Sequence, residues 1–233
     1  MKVGFDNLGS DRYAMRDLVR LRHTPAIRSG RWEAAMFNLT VPVNDQDHVI
    51  GSVDARVTVV HYGDYESSEC RKLNRAIGEM IRPLFRKVRL VYRHFPLVKV
   101  HPHALRAAEA AEAAAAQGKF WEMHTLLYLN SPGLKDTELR KYAKEIGLDL
   151  ERFDSEMARG AYLQQILRDR DLSIVNGISG VPTFFVNDRL WSMTGLDLVG
   201  AVKDFAERSA TVAESAQVSS LKSPSTFATK LRG

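Results

Sequence analysis

The sequence feature that most constrains this chain is a buried strand that passes directly through a turn into a helix. Residues 57 to 62 are mostly β-branched or aromatic and end at Gly63, which is typical of a buried strand entering a turn. The apolar residues that follow recur at helical spacing, and Ser67 or Ser68 can cap the helix. The stretch therefore predicts a strand, a turn and a helix, with Cys70 near the start of the helix.

The rest of the chain is interpreted from the same periodicities. The helix over residues 68 to 85 leads to a strand over 88 to 94, so the two strands should form a right-handed parallel βαβ unit. Helices are predicted over 103–117, 120–129, 136–146, 149–158 and 161–175, with Asp136 and Asp149 as caps. Strands are predicted over 183–187 and 190–193, joined by a turn at Asn187-Asp188, and a closing helix over 196–208. Residues 39–43 are predicted as an edge strand because a central strand would not tolerate Pro42.

These elements divide the chain into three regions. Residues 1–40 are rich in arginine and are predicted to form a basic accessory arm, and residues 209–233 a disordered tail. Residues 41–208 form the predicted α/β domain, with a helical insert over about 102–176. The net charge of +5 is modest and the arm contains no recognisable nucleic-acid module, so nucleic-acid binding is not predicted.

Cysteine count and hydropathy limit the function further. Cys70 is the only cysteine of the 233 residues, so an intramolecular disulfide is impossible and any redox step needs a second molecule. No apolar run approaches the roughly 20 residues that a membrane span needs. The first residues also lack the features of a secretory signal, so a cytoplasmic location is predicted.

Several segments together resemble one family. Gly63-Asp-Tyr-Glu-Ser-Ser-Glu-Cys70 resembles the Gly-Asp-Tyr-Glu-Cys-x-x-Cys opening of DsbA-like thioredoxin-fold proteins, with Ser67 in place of the first cysteine. Further matches follow in the family's order: Arg93-His-Phe-Pro-Leu97, His101-Pro-His-Ala104, Gly118-Lys-Phe-Trp-Glu-Met-His124 and Gly180-Val-Pro-Thr-Phe-Phe-Val186. The resemblance implies a thioredoxin-like α/β fold with a helical insertion between the halves of the sheet. It also implies the thiol-disulfide oxidoreductase class, with protein thiols or disulfides as partners.

The resemblance also assigns the candidate catalytic residues, Cys70 and Ser67. In the family the first cysteine attacks a substrate disulfide and the second resolves the mixed disulfide. Because a hydroxyl cannot form a disulfide, the two-cysteine cycle cannot operate with Ser67 in the first position. Cys70 is then either a small buried apolar residue or a monothiol that forms a transient mixed disulfide. Ser67 either caps the helix or donates a hydrogen bond to a bound thiolate.

Val181, Pro182 and Thr183 are the candidate substrate-binding residues. In thioredoxin-like proteins the matching proline is cis and lies beside the active cysteines, so that the preceding backbone can pair with a substrate chain. The resemblance implies the same arrangement here, although most X-Pro bonds are trans and an ordinary proline can begin a strand.

Histidines and acidic residues lie beside these motifs. His94, His101, His103 and His124 do not have the spacing of a His-x-x-x-His pair on one helix, and no cysteine pair accompanies them. No metal site is therefore predicted. No resident cofactor is predicted either. Asp64 and Glu66 are expected to organise the turn or to tune the electrostatics of the helix start.

Three functional hypotheses remain from the sequence. The first is a degenerate or monothiol oxidoreductase that keeps a peptide or glutathione groove between Ser67–Cys70 and Val181–Thr183, with glutathione as a co-substrate. The second is a non-catalytic binding or scaffold protein, and the third is a glutathione-dependent transferase or isomerase using Ser67. Exposure of Cys70 discriminates between the first two, since an accessible thiol favours monothiol chemistry and a protected one favours binding. The sequence leaves the oligomeric state open.

Overall fold

The structure, a computed structural model, describes residues 38–175, 177–191 and 197–206. The predicted disordered tail, and the predicted basic arm except for its last three residues, lie outside this range. The strands are β1 (His48–Ile50), β2 (Val57–Gly63), β3 (Val88–His94), β4 (Thr183–Val186) and β5 (Arg189–Trp191). The helices are α1 (Ser68–Leu84), α2 (Ala104–Ala115), α3 (Phe120–Asn130), α4 (Asp136–Glu145), α5 (Leu150–Ala158), α6 (Leu163–Val175) and α7 (197–206).

The strands form one mixed sheet in the order β1-β3-β2-β4-β5. β2 and β3 are parallel, with Val57 opposite Val88 and Gly63 opposite His94, and they are connected by α1. The remaining pairs are antiparallel. The βαβ unit predicted from the sequence is therefore confirmed. Because β2 and β3 are parallel, the turn after β2 and the end of β3 lie at the same edge of the sheet.

Each face of the sheet is covered by apolar side chains that alternate along the strands. On one face Val57 and Val59 pack with Ile77 of α1 and Leu198 of α7. On the other face the core is formed by Leu39, Val60, Tyr62, Val91, Phe95, Ile178 and Phe185. This two-sided burial explains why β2 has a nearly continuous apolar sequence rather than an alternating one.

Helices α2 to α6 are inserted between β3 and β4, as predicted. The alanines of α2 are buried against α3, α4 and α5 in a cluster that also contains Cys70 and Tyr65. Alanine is the best helix former, and its small side chain lets helices approach closely, so the alanine run suits a central helix. The fold class predicted from the sequence, α/β with a helical insertion, is confirmed. In the described part of the chain, the helices are all too short or too polar to cross a membrane.

The edge strand predicted before β1 was wrong. Residues 39–43 do not form an edge strand, since only an isolated bridge pairs Asn38 with Arg189. The Arg93 guanidinium instead binds the carbonyls of Val41 and Pro42, so a side chain replaces the expected strand partner. The edge strands of the sheet are β1 and β5, and β1 is a three-residue strand that the sequence did not predict.

The two predicted aspartate caps differ in outcome. Asp149 caps α5, and its carboxylate accepts a hydrogen bond from the Arg152 N–H at 3.1 Å. Asp136 is instead the first residue of α4, which has Lys135 at its N-cap without a side-chain hydrogen bond. The Asp136 carboxylate pairs with Arg106 of α2, so it links two helices of the insert rather than capping one.

Candidate functional site

Ser67 and Cys70 lie at the start of α1, immediately after the turn that follows β2. Ser67 is the N-cap in an extended conformation (φ −70°, ψ 120°), and its Oγ accepts a hydrogen bond from the Cys70 N–H at 3.3 Å. The capping role considered for Ser67 is therefore present in the structure. Ser67 is only 6% exposed and Cys70 is 0% exposed.

Burial keeps the Cys70 thiol protonated. Burial is the largest influence and raises its pKa to about 11, although hydrogen bonds from Ser67, the Asp64 backbone and Tyr128 act in the opposite direction. Because the thiolate is the nucleophile in thiol-disulfide exchange, a buried thiol with this pKa is a poor nucleophile near neutral pH. The geometry thus favours the interpretation of Cys70 as a packed core residue.

The turn before the helix is fixed by its two acidic side chains. Asp64 is buried, and its carboxylate accepts hydrogen bonds from the Glu66 N–H at 2.7 Å, the Leu97 N–H at 2.8 Å and, through a ring nitrogen, His101 at 2.8 Å. The Glu66 carboxylate accepts a bond from the His103 N–H at 2.7 Å. Both acids therefore tie the turn to the segment that begins the helical insert, which is the turn-organising role considered for them.

The second predicted segment lies on the strand next to this turn. The Val181–Pro182 peptide bond is cis. Thr183 of β4 is paired with Tyr62 of β2, so continuing the antiparallel register places Pro182 beside Gly63 at the start of the turn. The Val181 side chain packs against the apolar cluster that contains Cys70. The structure therefore brings the two predicted segments to one edge of the sheet.

Sequence reasoning missed the buried polar cluster beneath this edge. Tyr65, Tyr92 and Tyr128 stack around the end of the sheet, and the hydroxyls of Tyr92 and Tyr128 lie 3.0 Å apart. The Tyr65 hydroxyl lies 3.1 Å from His124 Nδ1, and His124 Nε2 lies 2.9 Å from Asn74 Oδ1. Since the Asn74 oxygen can only accept, His124 donates from Nε2 and accepts from Tyr65. Gly63 was the one residue in the sequence that could have indicated this cluster, because any larger side chain there would collide with the phenol groups of Tyr92 and Tyr128.

His61 is a second buried polar group that sequence reasoning did not single out. It lies on β2 with its ring stacked on Phe184 at 4.5 Å, and neither ring nitrogen has a hydrogen-bond partner among the described residues. Burial lowers its pKa to about 3. The imidazole is therefore neutral in the folded protein over the physiological pH range.

The structure also brings together two histidines and a glutamate that are distant in sequence. His48 of β1 and His94 of β3 both contact the same oxygen of Glu112 on α2. Burial would raise the pKa of Glu112, but the hydrogen bonds from the two imidazoles outweigh it and lower the pKa to about 2. Nothing in the sequence spacing joins His94 to His48 or Glu112, so this group is not among the sites predicted from the sequence.

Two of the cavities in the described part of the chain bear on the candidate site. One has a volume of about 240 Å³ and is lined by His48, His94 and Glu112 among others, and a more open one lies between Trp121 and Ile146. Neither is lined by Ser67, Cys70 or the segment from Val181 to Thr183.

Comparison with known proteins places the chain among thioredoxin-fold proteins. A family described as Thioredoxin matches residues 43–204. A solved thioredoxin-like oxidoreductase from Silicibacter pomeroyi DSS-3 is 29% identical, with a TM-score of 0.60 over 71% of this chain and 94% of that one. Oxidised BdbD from Bacillus subtilis is 26% identical, with a TM-score of 0.58 over 69% of this chain and 90% of that one. These neighbours confirm the DsbA-like thioredoxin fold predicted from the sequence.

Curated relatives with higher identity are longer proteins. The Na(+)/H(+) antiporter NhaA 3 of Salinispora tropica is 46% identical over 155 residues, which are 66% of this chain and 24% of the antiporter. The Na(+)/H(+) antiporter NhaA 1 of Mycobacterium sp. (strain KMS) is 38% identical over 160 residues, 67% of this chain and 26% of that one. The chain therefore spans about a quarter of the length of these curated relatives.

Proposed function

The chain belongs to the thioredoxin family, and from that premise we propose that it is a degenerate, redox-inactive member that binds extended polypeptide segments at the sheet edge beside Pro182. The observation that carries the proposal is the burial of Cys70, which is 0% exposed behind the Ser67 cap. A thiol in this position cannot reach a substrate disulfide without local unfolding of the helix start.

The thiol environment supports the loss of catalysis. Exchange requires an exposed thiolate and a second thiol that resolves the mixed disulfide. The chain has no second cysteine, and burial raises the pKa of Cys70 to about 11. The solved neighbours named as a thioredoxin-like oxidoreductase and as BdbD support the oxidoreductase ancestry of the fold, and the Ser67-x-x-Cys70 sequence supports the loss of the ordinary cycle.

The backbone beside Pro182 supports the binding role. In the described segments, no main-chain hydrogen bond to another main-chain group involves Val181, although Thr183 next to Pro182 is paired with β2. An extended peptide can add to a main-chain segment of this kind through backbone hydrogen bonds, while nearby side chains provide specificity. Ser68 and Glu69 of α1 are exposed at the same end of the sheet and would face such a peptide.

The partner class is an unfolded or extended segment of another protein, in keeping with the protein substrates of thiol-disulfide exchange. Glutathione as a co-substrate and a cytoplasmic location stay predictions from the sequence.

The test measures binding to a polypeptide that cannot exchange disulfides. Reduced, carboxymethylated α-lactalbumin is unfolded and has no free thiol, so fluorescence anisotropy of a labelled sample reports binding alone. We expect saturable binding by the wild-type chain and by Cys70→Ala. Ser68→Trp places a large side chain at the start of α1 and should weaken binding at least about 10-fold, equivalent to about 1.4 kcal/mol.

The matched control is Ser155→Trp, the same substitution at an exposed serine of α5 in the helical insert. It should leave binding within about twofold of wild type. A twofold change is about 0.4 kcal/mol, because 1.4 kcal/mol corresponds to a tenfold change. Equal loss in both tryptophan variants would contradict binding at the edge beside Pro182. Glutathione-dependent reduction of insulin that disappears in Cys70→Ala would contradict redox inactivity and favour the monothiol hypothesis.

A further inference from the structure

Two imidazoles and one carboxylate from three separate elements converge beside the first strand of the sheet. His48 Nε2 lies 2.7 Å and His94 Nε2 lies 2.9 Å from the same atom, Glu112 Oε1. The three candidate ligand atoms all lie within 4.8 Å of one another. The cluster is independent of Ser67, Cys70 and Pro182, and the proposed binding function does not use it.

The packing around the cluster holds the two rings in place. The His48 ring stacks on Phe120, with ring centroids 3.5 Å apart and an interplanar angle of 7°. The His94 ring is edge-on to Tyr92 at 5.3 Å and to Phe120 at 6.0 Å. His94 and Glu112 are both buried. Side chains whose orientation is fixed by packing lose little conformational freedom when they bind an ion.

The cluster also borders space for an ion and its remaining ligand. The cavity of about 240 Å³ is lined by all three side chains, and by Gln165 and Asp169 of α6. A single water needs roughly 30 Å³ of liquid volume, so the cavity has room for a metal-bound water. Asp169 offers a further carboxylate on the same wall.

We propose that His48, His94 and Glu112 bind one divalent zinc ion. Two imidazole nitrogens and one carboxylate oxygen form a donor set that zinc uses, with a water completing the tetrahedron. Hard ions such as Ca²⁺ and Mg²⁺ prefer oxygen ligands alone, so the two imidazoles disfavour them. Ligand atoms around a tetrahedral zinc are separated by about 3.3 Å, so the histidine to glutamate distances need to open by under about 1 Å.

The site would connect the two parts of the fold. His48 and His94 belong to the sheet, whereas Glu112 belongs to the central helix of the insert. Zinc bound to all three would join the sheet to the insert and stabilise the native state over the unfolded chain, because the unfolded chain lacks the assembled site.

The experiment uses the full chain, stripped of metal with a chelator and titrated with zinc chloride by calorimetry. We expect about one zinc ion per chain and an increase in melting temperature. His48→Gln should weaken binding at least about 100-fold, because it removes one of three protein ligands. His103→Gln is the matched control, a histidine paired with Glu66 outside the cluster, and should change the affinity less than about twofold.

Two further measurements make the result decisive. Cobalt substitution should give the strong visible absorption of a tetrahedral site without a thiolate charge-transfer band, and Cys70→Ala should bind zinc as tightly as wild type. Should His48→Gln fail to fold, Glu112→Gln replaces it, with cooperative melting as the criterion of folding. The proposal is overturned if the stripped wild-type chain shows no saturable zinc binding, if the folded variant binds as tightly as wild type, or if Cys70→Ala abolishes binding.

Discussion

Ser67 Oγ accepts a hydrogen bond from the Cys70 N–H at 3.3 Å, so Ser67 caps the helix whose first turn contains the buried Cys70. A serine cap contributes about 1 kcal/mol to stability. The serine therefore stabilises the helix start, whereas its hydroxyl cannot take part in thiol-disulfide exchange. On the proposed function, the cap keeps the fold stable without dithiol chemistry.

Replacing Ser67 by cysteine should restore a dithiol. The two residues are three positions apart in the first turn of α1 and already share a hydrogen bond through the Ser67 side chain, so a sulfur at Ser67 lies near Cys70. We expect Ser67→Cys to form an intramolecular disulfide when treated with oxidised glutathione. Mass spectrometry after alkylation should then find both thiols blocked.

Ser68→Cys is the control for this gain of a disulfide. Ser68 is exposed and is not the cap, so its sulfur should not bond with buried Cys70. The expected product with oxidised glutathione is a glutathione adduct at the new cysteine. If Ser67→Cys also gives a glutathione adduct and no intramolecular disulfide, the new sulfur does not lie within bonding reach of the Cys70 sulfur, and the prediction is contradicted.

Much of the fold could be predicted because its signals are local. The apolar run from Val57 and the turn residues after Tyr62 identify β2 and the helix start, and the parallel pairing of β2 with β3 follows from the βαβ rule. The candidate residues Ser67, Cys70 and Pro182 came from resemblance, and the structure places them at one edge of the sheet. Whether they act in binding was not accessible from sequence patterns.

What the sequence did not predict depends on contacts between distant residues. β1 has only three residues, and it is a strand because it pairs with β3. The cluster of His48, His94 and Glu112 spans a strand, a second strand and a helix, with no spacing rule to connect them. The burial of His61 likewise depends on Phe184, more than a hundred residues later.

Gly63→Ala should destabilise the protein. A Cβ at this position would lie 2.7 Å from Tyr92 Cε2 and 2.8 Å from the Tyr128 hydroxyl, both of which are buried rings fixed by their neighbours. Overpacking of this kind typically costs about 1–3 kcal/mol. Urea unfolding should show the loss in the midpoint, with an unchanged slope.

Gly78→Ala provides the matched control for the glycine substitution. Gly78 lies within α1, and a Cβ there would meet nothing within 4 Å. Because alanine is favoured over glycine in a helix, this variant should be more stable by about 0.5–1 kcal/mol. A Gly63→Ala protein as stable as wild type would show that the phenol cluster can move aside.

His61→Phe should make the protein less sensitive to acid. Burial lowers the pKa of His61 from 6.5 to about 3, so between these values the unfolded chain binds a proton that the folded chain does not. The contribution of neutral His61 to the free energy of unfolding is therefore fully present above pH 6.5 and is lost as the pH drops towards 3. The contribution lost by pH 5 is about 2 kcal/mol, and the variant should not lose it.

Urea unfolding of both proteins at pH 7, 6 and 5 measures this difference. Burial is the largest cause that lowers the pKa of His124 well below its ordinary value, and His61 adds to it, so most of the His124 contribution is common to both proteins. The difference in unfolding free energy between variant and wild type should grow as the pH falls. Parallel curves would mean that His61 becomes protonated without unfolding.

The alkylation rate of Cys70 tests the central claim most directly. The native protein and a sample in concentrated urea are treated with iodoacetamide at pH 8, and modification is followed by mass spectrometry. Because burial raises the pKa of Cys70 from 9.0 to about 11, ionisation alone should slow the native reaction roughly 100-fold, and burial should slow it further. A native rate within about threefold of the unfolded rate would show an accessible, reactive thiol and contradict redox inactivity.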